Sequence, residues 1–374
     1  MSDAALIAAT AAEAREAGVD AAAPILSTFE FWPRWLFYFP IIVHWTLLSI
    51  RYGSLSLPTA ANPAFEAGGL CGESKTDLFA TFGPECRERM APFISVAVPS
   101  GPSAEGDVLE RALVAMQKAG LKWPVVAKPD IGCQGTGVQL IADRDALARY
   151  IAGFPAGERV VLQQWVQQEG EAGVLYIRPP GAPHGSIFSL TLKYFPAITG
   201  DGQSSVEELI RADARAGCIA ELYLVRLAEE RKRVLAAGKR LPLVFTGNHC
   251  KGAIFRNGAP YVTAEMTAAF ERVARSIARF HFGRFDVRFT SLEDLMRGDF
   301  TIIEVNGAGS EATHIWDPAT GLIEAYATLF RQYRLLFSIA ARNRADGVRP
   351  MRVFDLLRLY RRQQRLMASY PPST

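Results

Sequence analysis

The chain has 374 residues, of which 41 are Lys or Arg and 38 are Asp or Glu, so its formal net charge is only +3. This small charge argues against a dedicated nucleic-acid-binding protein, which carries a concentrated basic face. The 5 cysteines are scattered and form no C-x-x-C pair, so we expect neither a disulfide framework nor a zinc site, and a reducing, cytoplasmic location fits best.

The N-terminal region has two parts of different composition. Residues 1–23 are Ala-rich and polar and lack the basic start of a signal peptide, so they predict a frayed helix or a disordered leader. Residues 29–50 are rich in Trp, Phe and Tyr, but Pro33 and Pro40 break helical hydrogen bonding and argue against a membrane-spanning helix. The next expected elements are a Gly- and Pro-rich loop over 57–72, a helix over 73–90 and a helix over 107–120.

From Trp123 onward, short apolar runs alternate with helical segments, which is the pattern of an α/β protein. The predicted strands are 124–128, 137–142, 159–164, 174–178, 187–195, 241–246, 282–289 and 301–306. The predicted helices are one opened by the capping-box sequence 204–207, then 218–237, 263–280, 319–341 and a basic C-terminal helix as far as Met367. Asn257-Gly258, between two β-like runs, predicts a hairpin.

A lysine and a glycine-rich loop follow the strand that begins at residue 124. Lys128 ends this strand, and Gly132, Gly135 and Gly137 lie in the loop that leads into the next strand. Glycines let the backbone approach a phosphate, successive N–H groups form an anion-binding concavity, and Lys128 adds a positive charge. The loop matches neither a P-loop nor a dinucleotide-binding fingerprint, since it leads into a strand and not a helix. A structural hairpin with glycines in its turn is the alternative.

Strands 282–289 and 301–306 carry a candidate metal site. Because side chains alternate between the two faces of a strand, each strand places three residues on one face: Arg284, Asp286 and Arg288 on the first, and Ile302, Glu304 and Asn306 on the second. If the strands pair as neighbours, Asp286, Glu304 and Asn306 converge as oxygen donors, which suits Mg²⁺. The alternative is a surface salt bridge from Asp286 to Arg284 or Arg288.

The segment 160–174 joins two strands through a polar and aromatic turn and includes Glu171. Two interpretations fit this turn. It is either an interdomain hinge whose backbone contacts an adenine, or an ordinary connector, and the residues by themselves favour the connector.

Taken in chain order, these features resemble the ATP-grasp superfamily, in the branch of D-alanine–D-alanine ligases and cyanophycin synthetase. The matching features are Lys128 with its glycine-rich loop, the turn with Glu171, Lys193 in SLTLKYF, R-x-D at 284–286 and E-x-N at 304–306. The resemblance covers roughly residues 75–339 and implies an α/β (α+β) ATP-grasp fold, in which two α/β subdomains clasp the nucleotide. We therefore expect an atypical aromatic-rich region over 1–72, subdomains over 73–185 and 186–340, and a helical tail over 341–374.

The resemblance also implies a role for each matching residue. The ATP-binding residues would be Lys75, Lys128, Gly132, Gly135, Gly137, Gln163, Gln164, Trp165, Val166, Glu171 and Lys193. Asp286, Glu304 and Asn306 match the ligands of a divalent metal, Mg²⁺ or alternatively Mn²⁺. The catalytic groups would be Arg284, which steadies the acyl phosphate, Lys193, which contacts phosphate, and Gly309, whose loop supplies backbone N–H groups to an oxyanion. Glu171 matches the acid on the ribose hydroxyls.

The implied activity is ATP-dependent amide formation from a small-molecule carboxylate and an amine through an acyl phosphate. No nucleic-acid partner is expected, a lipid-linked substrate is an option, and a homodimer is compatible with the sequence. Two alternatives stay open: a phosphotransferase that acts on a hydroxyl, and a non-catalytic, membrane-associated nucleotide-binding protein. His249 and His314 face either the substrate or the protein interior, and a lone histidine is more often structural.

The N-terminal region departs from the family pattern, because residues 1–72 show no α/β alternation. Two interpretations of residues 29–52 are open. The aromatic side chains dock on a membrane or a lipid-like substrate, assisted by the basic tail, which would place the protein peripherally at the inner face of a membrane. Alternatively, the segment packs over the enzyme as a hydrophobic arm.

Overall fold

The computed structural model of this chain describes residues 27, 29–100, 105–244, 247 and 252–373. The helices are α1 (Arg34–Tyr52), α2 (Lys75–Ala80), α3 (Pro84–Arg89), α4 (Glu105–Lys118), α5 (Arg144–Ala152), α6 (Val206–Ala212), α7 (Ala220–Arg226), α8 (Ala264–Ser276), α9 (Leu292–Met296), α10 (Leu322–Ala345) and α11 (Val353–Ser369). The strands are β1 (Phe93–Ala97), β2 (Val125–Pro129), β3 (Gln139–Ile141), β4 (Arg159–Gln164), β5 (Gly170–Ile177), β6 (Ser186–Tyr194), β7 (Ala197–Thr199), β8 (Arg240–Pro242), β9 (Ile254–Asn257), β10 (Phe282–Phe289) and β11 (Thr301–Asn306). The predicted α/β class is confirmed.

The strands form two main antiparallel sheets and one small one. The first sheet has the order β1-β4-β2-β3, the second β11-β10-β5-β6-β9, and β7 pairs with β8. The chain passes from the first sheet to the second over residues 165–169, between β4 and β5. The predicted boundary between the two subdomains, after residue 185, lies between β5 and β6. These two strands pair in one sheet. The division into four domains stays a prediction.

Each main sheet has its own apolar core. In the first sheet, Val125 and Leu162 pack against Leu147 of α5 and Val108 of α4. In the second, side chains of β5, β6 and β10 pack against the buried face of α8. The opposite face of the second sheet is covered in part, since Leu175, Ile177 and Phe282 pack in one cluster with Leu336 and Phe337 of α10. The rest of that face carries the polar residues described below.

Helix α1 is built from the aromatic segment and packs against α10. Phe37 and Ile41 lie in the core with Trp316 and Leu329, so the packing-arm interpretation holds for this face of the helix. The opposite face is exposed along its length: Trp35, Phe39, Ile42, Val43, Leu47 and Ile50. The expectation that proline breaks this segment is wrong for Pro40, because the helix continues through it to Tyr52. Among the described residues, no helix is both long and apolar enough to cross a membrane.

Several predicted elements differ from the structure. The single helix expected over 73–90 is two short helices, α2 and α3. The helix expected over 218–237 ends at Arg226, because the later carbonyls of Arg231 and Arg233 accept hydrogen bonds from the first N–H groups of α6. The hairpin expected at 257–258 is also wrong, since a 3₁₀ turn follows and β9 pairs with β6 instead. Residues 1–26 and the end of the strand expected over 241–246 lie outside the described residues.

Candidate active site

A cavity of about 1240 Å³ is lined by residues of both main sheets. The predicted site residues that line it are Lys75, Lys128, Gly132, Gly135, Gln163, Gln164, Trp165, Val166, Glu171, Lys193, Arg284, Asp286, Glu304, Asn306 and Gly309. Gly137, the remaining residue of the predicted ATP-binding set, is not among the residues that line the cavity. The structure thus gathers residues from distant parts of the chain around one volume, although their individual roles stay predictions.

The candidate metal residues meet at the edge of the second sheet. Strands β10 and β11 are antiparallel neighbours, with Asp286 directly opposite Glu304 and Arg284 opposite Asn306. The Asn306 Nδ2 donates to Asp286 Oδ2 at 3.0 Å. The convergence of Asp286, Glu304 and Asn306 that the strand pattern predicts is therefore present.

A β-bulge changes one detail of this strand. Asp286 pairs with Glu304 but Val287 pairs with Ile302, which leaves Ile303 as the extra residue. The expectation that Ile302 shares the face of Glu304 is therefore wrong, and Ile302 packs in the core with Val287. The carbonyl of Ile303 accepts a hydrogen bond from Lys128 Nζ at 3.1 Å. The bulge thereby ties the lysine of the first sheet to the acidic strand of the second.

Asp286 is the centre of a buried charge cluster. Arg284 donates from Nε and Nη2 to the two carboxylate oxygens at 3.0 Å, and Lys193 Nζ donates at 2.8 Å. Glu171 pairs with Lys193 at 3.1 Å and with Arg288 at 2.8 Å. Burial would raise the pKa of Asp286, but Arg284 and Lys193 outweigh it and hold that pKa below its ordinary value. The expected alternative, an Asp286–Arg284 ion pair, is thus present, but buried instead of on the surface.

The same cluster keeps Lys193 charged. Burial alone would lower the pKa of Lys193, but Asp286 and Glu171 outweigh this and raise it. Gly247 lies directly over the cluster, because a Cβ at this position would be 2.1 Å from Glu171 Oε1. Glu171, the predicted ribose-binding acid, therefore has both carboxylate oxygens paired with cations and is covered by backbone.

Two lysines border the cavity beside Glu304. Lys128 is buried and donates to Gln163 Oε1 at 2.7 Å, and its burial lowers its pKa to about 8, partly offset by Glu304. The ammonium of Lys75 donates to the carbonyl of Gly132 at 3.2 Å and lies 3.5 Å from Glu304 Oε1. Both positive charges are thus placed where an anionic ligand in the cavity would be attracted.

The glycine-rich loop is held by the C-terminal segment, which sequence reasoning did not connect with it. Tyr370 Oη donates to the carbonyl of Ile131 at 2.8 Å, and Ser373 Oγ donates to the carbonyl of Gly135 at 2.8 Å. The N–H of Gly137 donates to Ser373 Oγ, and a Cβ at Gly137 would lie 2.7 Å from a side-chain carbon of Pro129. The predicted phosphate contact of Gly137 is therefore not supported, since this residue packs against the tail.

The turn between the sheets has the position expected of a hinge. Gln163 is buried, accepts from Lys128 and donates to the carbonyl of Ala91 at 3.2 Å. Gln164 accepts from the N–H of Lys122 at 2.8 Å. Both glutamine side chains thus bond to the protein, and the following residues 165–166 line the cavity. Their predicted contact with adenine stays a prediction.

The loop after β11 forms backbone hydrogen bonds with the turn at residues 66–70. The N–H of Gly309 donates to the carbonyl of Gly69 at 2.7 Å, and its predicted role toward an oxyanion stays a prediction. A Cβ at Gly309 would lie 2.5 Å from the carbonyl of Leu70. Glycine at this position therefore permits close packing of the 66–70 turn against the loop.

Glu311, two residues further along, is a cavity residue that the sequence motifs missed. Tyr38 Oη lies 3.1 and 3.3 Å from its two carboxylate oxygens, and Arg284 Nη1 donates to its backbone carbonyl at 3.5 Å. Burial raises the pKa of Glu311 to about 7, against the effects of Tyr38, Arg284 and Trp316. The sequence carries no local signal for this arrangement, because Tyr38 comes from the distant helix α1.

Of the two histidines singled out from the sequence, the structure describes His314. His314 does not line the cavity; its Nδ1 is 2.6 Å from Ser189 Oγ, and burial lowers its pKa. This contact supports the structural interpretation for His314. His249 lies outside the described residues.

Comparisons with known proteins give structural likeness only. No protein-family model matches the sequence, and a search of curated proteins returns no match. Among solved structures, the chain is similar to D-alanine–D-alanine ligase from Bacillus anthracis, with 12% identity, a TM-score of 0.39, and coverage of 76% of this chain and 72% of that one. It is also similar to a D-cycloserine synthetase, with 14% identity, a TM-score of 0.35 and coverage of 70% of each chain.

A bifunctional glutathione synthetase from Pasteurella multocida is similar at 16% identity and a TM-score of 0.34. That match covers 69% of this chain and 36% of the synthetase, so the chain spans about a third of that protein.

Proposed function

We propose that this protein is an ATP-dependent carboxylate–amine ligase that forms an amide through an acyl phosphate. The observation that carries the proposal is the composition of one cavity wall. Three cationic side chains, Lys128, Lys193 and Arg284, surround two acids and an amide on paired strands, and a glycine-rich loop borders the same cavity. Phosphoryl transfer depends mainly on positioning and on cations around the transferring oxygens, and this arrangement supplies both.

ATP would lie across the junction of the two sheets. Its phosphates would contact Lys75, Lys128 and the loop with Gly132 and Gly135, all of which line the cavity. Its base would lie near residues 165–166, where the chain passes from one sheet to the other. The Lys128 ammonium favours this placement, because in the described part of the chain its hydrogen bonds go to neutral oxygens of Gln163 and Ile303.

A divalent cation fits the donor set. Among the described residues, no three His, Cys, Asp or Glu side chains form a metal-binding group, but Asp286 and Glu304 face each other and Asn306 adds an amide oxygen. Mg²⁺, or alternatively Mn²⁺, prefers such oxygen ligands and keeps several positions for water and phosphate. When bound, the cation would neutralise phosphate charge. Asp286 would then share its oxygens between the metal and its present partners, Arg284 and Lys193.

The reaction also requires that the acyl phosphate be held in place and protected from water, and residues of this chain can do both. The substrate carboxylate attacks the γ-phosphate of ATP, the bond to the β-phosphate oxygen breaks, and ADP leaves. Arg284 lies at the edge of the cluster, with its guanidinium close to both Asp286 and the Glu311 carbonyl, so it can hold the acyl phosphate. Because an acyl phosphate hydrolyses, water must be kept out, and the glycine-rich loop with its C-terminal support borders the same cavity.

Product analysis tests the proposal. The purified chain is incubated with ATP, Mg²⁺, a pool of carboxylic acids and hydroxylamine, which traps acyl phosphates as hydroxamates. We expect ADP, phosphate and a hydroxamate by mass spectrometry, and an amide when a pool of amines replaces hydroxylamine. A phosphorylated alcohol formed without any amine would indicate the phosphotransferase instead. Tight ATP binding with no turnover would indicate a non-catalytic nucleotide-binding protein.

A further inference from the structure

The end of the cavity next to Glu311 is lined by aromatic residues. Phe37 and Tyr38 reach it from α1, Trp316 from the turn before α10, and Tyr333 from α10. The Phe37 ring lies 4.7 Å from that of Trp316, so these walls pack against each other. The N-terminal segment, which shows no α/β pattern, therefore forms one wall of the cavity.

Glu311 is held rigidly at this end. The buried side chain of Gln332 donates to the carbonyl of Ser310 at 3.1 Å and accepts from the N–H of Ala312 at 2.9 Å. The backbone on both sides of Glu311 is thus tied to α10. The Glu311 carboxylate itself accepts from Tyr38, which orients it. A side chain fixed by backbone and hydrogen bonds is preorganised for binding.

The carboxylate of Glu311 differs from those of Asp286 and Glu171 in its ion pairing. Within the described parts of the chain, no Lys, Arg or His nitrogen forms an ion pair with the Glu311 carboxylate, whereas Asp286 and Glu171 each have two cations. An enclosed carboxylate is costly unless a cation accompanies it. Burial accordingly raises the pKa of Glu311 to about 7, against the opposing effects of Tyr38, Arg284 and Trp316. A cationic ligand in the cavity would balance this cost.

We propose that Glu311 and Tyr38 form the binding site for the ammonium group of the amine substrate, and that Glu311 accepts one proton from it. This inference rests on the ligase function proposed above. It places the amine next to Arg284, and it names the class of substrate: a primary amine that is protonated at neutral pH and carries an apolar or aromatic substituent. The aromatic rings suit the ammonium group because their faces attract cations, and they suit its substituent because they pack against apolar groups.

Proton transfer to Glu311 precedes formation of the amide bond. The ammonium gives one proton to the Glu311 carboxylate and becomes a neutral amine. The nitrogen lone pair forms the C–N bond while the C–O bond to phosphate breaks, and phosphate leaves with that electron pair. The leaving phosphate takes the second nitrogen proton, and Glu311 later returns its own proton to solvent. A base with a pKa near the working pH is suited to this step.

Glu311→Gln is the first test, with hydroxylamine and 2-phenylethylamine as alternative nucleophiles and the acid pool as electrophile. Hydroxylamine is uncharged at neutral pH, so it needs neither the ion pair nor the proton transfer. We expect the variant to form hydroxamate within about threefold of wild type but to lose amide formation from phenylethylamine by about 100- to 10,000-fold. Glu110→Gln, on the surface, is the matched control and should change neither rate.

The rates of hydroxamate formation and of amide formation together distinguish the outcomes that would contradict the proposal. Equal loss of both products would make Glu311 a structural residue, and unchanged rates for both would exclude it from the site. Absence of hydroxamate in the wild type would instead reject the ligase function, and this inference with it. Tyr38→Phe removes only the hydroxyl group and serves as a second test if Glu311→Gln does not fold. We expect a smaller loss of rate in this variant, again confined to phenylethylamine.

Binding gives an independent readout. Calorimetry with phenylethylamine should show affinity that falls as the pH drops through about 7, because Glu311 becomes protonated. The groups facing Glu311 are Arg284 on β10, Tyr38 on α1 and Tyr333 on α10; Tyr333 has its pKa raised by burial and so stays neutral. The pH dependence should be absent in Glu311→Gln. An identical dependence in the variant would overturn the assignment.

Discussion

The affinity for ATP should depend on pH through Lys128. Burial lowers the pKa of this ammonium to about 8, and Glu304 offsets part of that effect. A bound phosphate favours the charged lysine, so ATP binding takes up a proton wherever Lys128 is neutral. The affinity is therefore greatest below pH 8 and declines as the pH rises through that value.

The size of the decline follows from the pKa. With a value of about 8, Lys128 is about 10% neutral at pH 7 and about 90% neutral at pH 9. Relative to acidic pH, we expect affinity to fall about 2-fold at pH 8 and about 10-fold at pH 9, or about 1.4 kcal/mol. The terminal phosphate does not contribute to this slope, since its own second pKa is about 6.

Isothermal titration calorimetry with Mg²⁺-ATP between about pH 7 and 9.5 measures this slope, and buffers of different ionisation enthalpy count the protons taken up. Lys128→Arg is the matched control, because arginine stays charged throughout and should abolish the slope. Lys128→Met should lose about 1.5–3 kcal/mol of binding at neutral pH, roughly 10- to 150-fold. A wild-type affinity that does not change with pH, or a slope that persists in Lys128→Arg, would refute this reasoning.

Four further outcomes are expected. Glu304→Gln should abolish turnover at saturating Mg²⁺-ATP without lowering the melting temperature, and substantial remaining activity would reject the metal assignment. Arg284→Ala should reduce the rate at saturation far more than the affinity for ATP; weakened binding with a normal saturated rate would show that its role is wrong. Tyr370→Ala with Ser373→Ala removes three hydrogen bonds of about 0.5–1.5 kcal/mol each, so amide exchange in residues 131–137 should accelerate roughly 10- to 2000-fold, whereas unchanged exchange would mean that the tail does not restrain the loop. Wild-type protein should co-sediment with anionic vesicles at low salt through the exposed face of α1, and the combined Trp35→Ser, Phe39→Ser and Ile42→Ser variant should not; absence of sedimentation in the wild type would leave only the packing function of this helix.

Local sequence pattern was sufficient for the centre of the candidate site. The bounds of β10 and β11 agree with the predicted strands, and the alternation of side chains placed Asp286 and Glu304 in the cavity wall. The reason is that alternation belongs to the strand itself and requires only that two strands become neighbours. The same argument failed at Ile302, because the bulge at Ile303 arises from pairing and is not encoded in a period of two.

Contacts between distant segments needed the tertiary structure. Tyr38 meets Glu311 across 273 positions and Tyr370 meets Ile131 across 239, and neither pair has a spacing that predicts contact. Composition identified α1 as aromatic, but whether its rings pack on α10 or remain exposed was decided by which face α10 covers. The sequence by itself thus determined β10 and β11 with their charged residues and the position of the glycine-rich loop, since these depend on local backbone geometry. The aromatic wall, the C-terminal support of the loop and the place of Glu311 depend on how the whole chain packs.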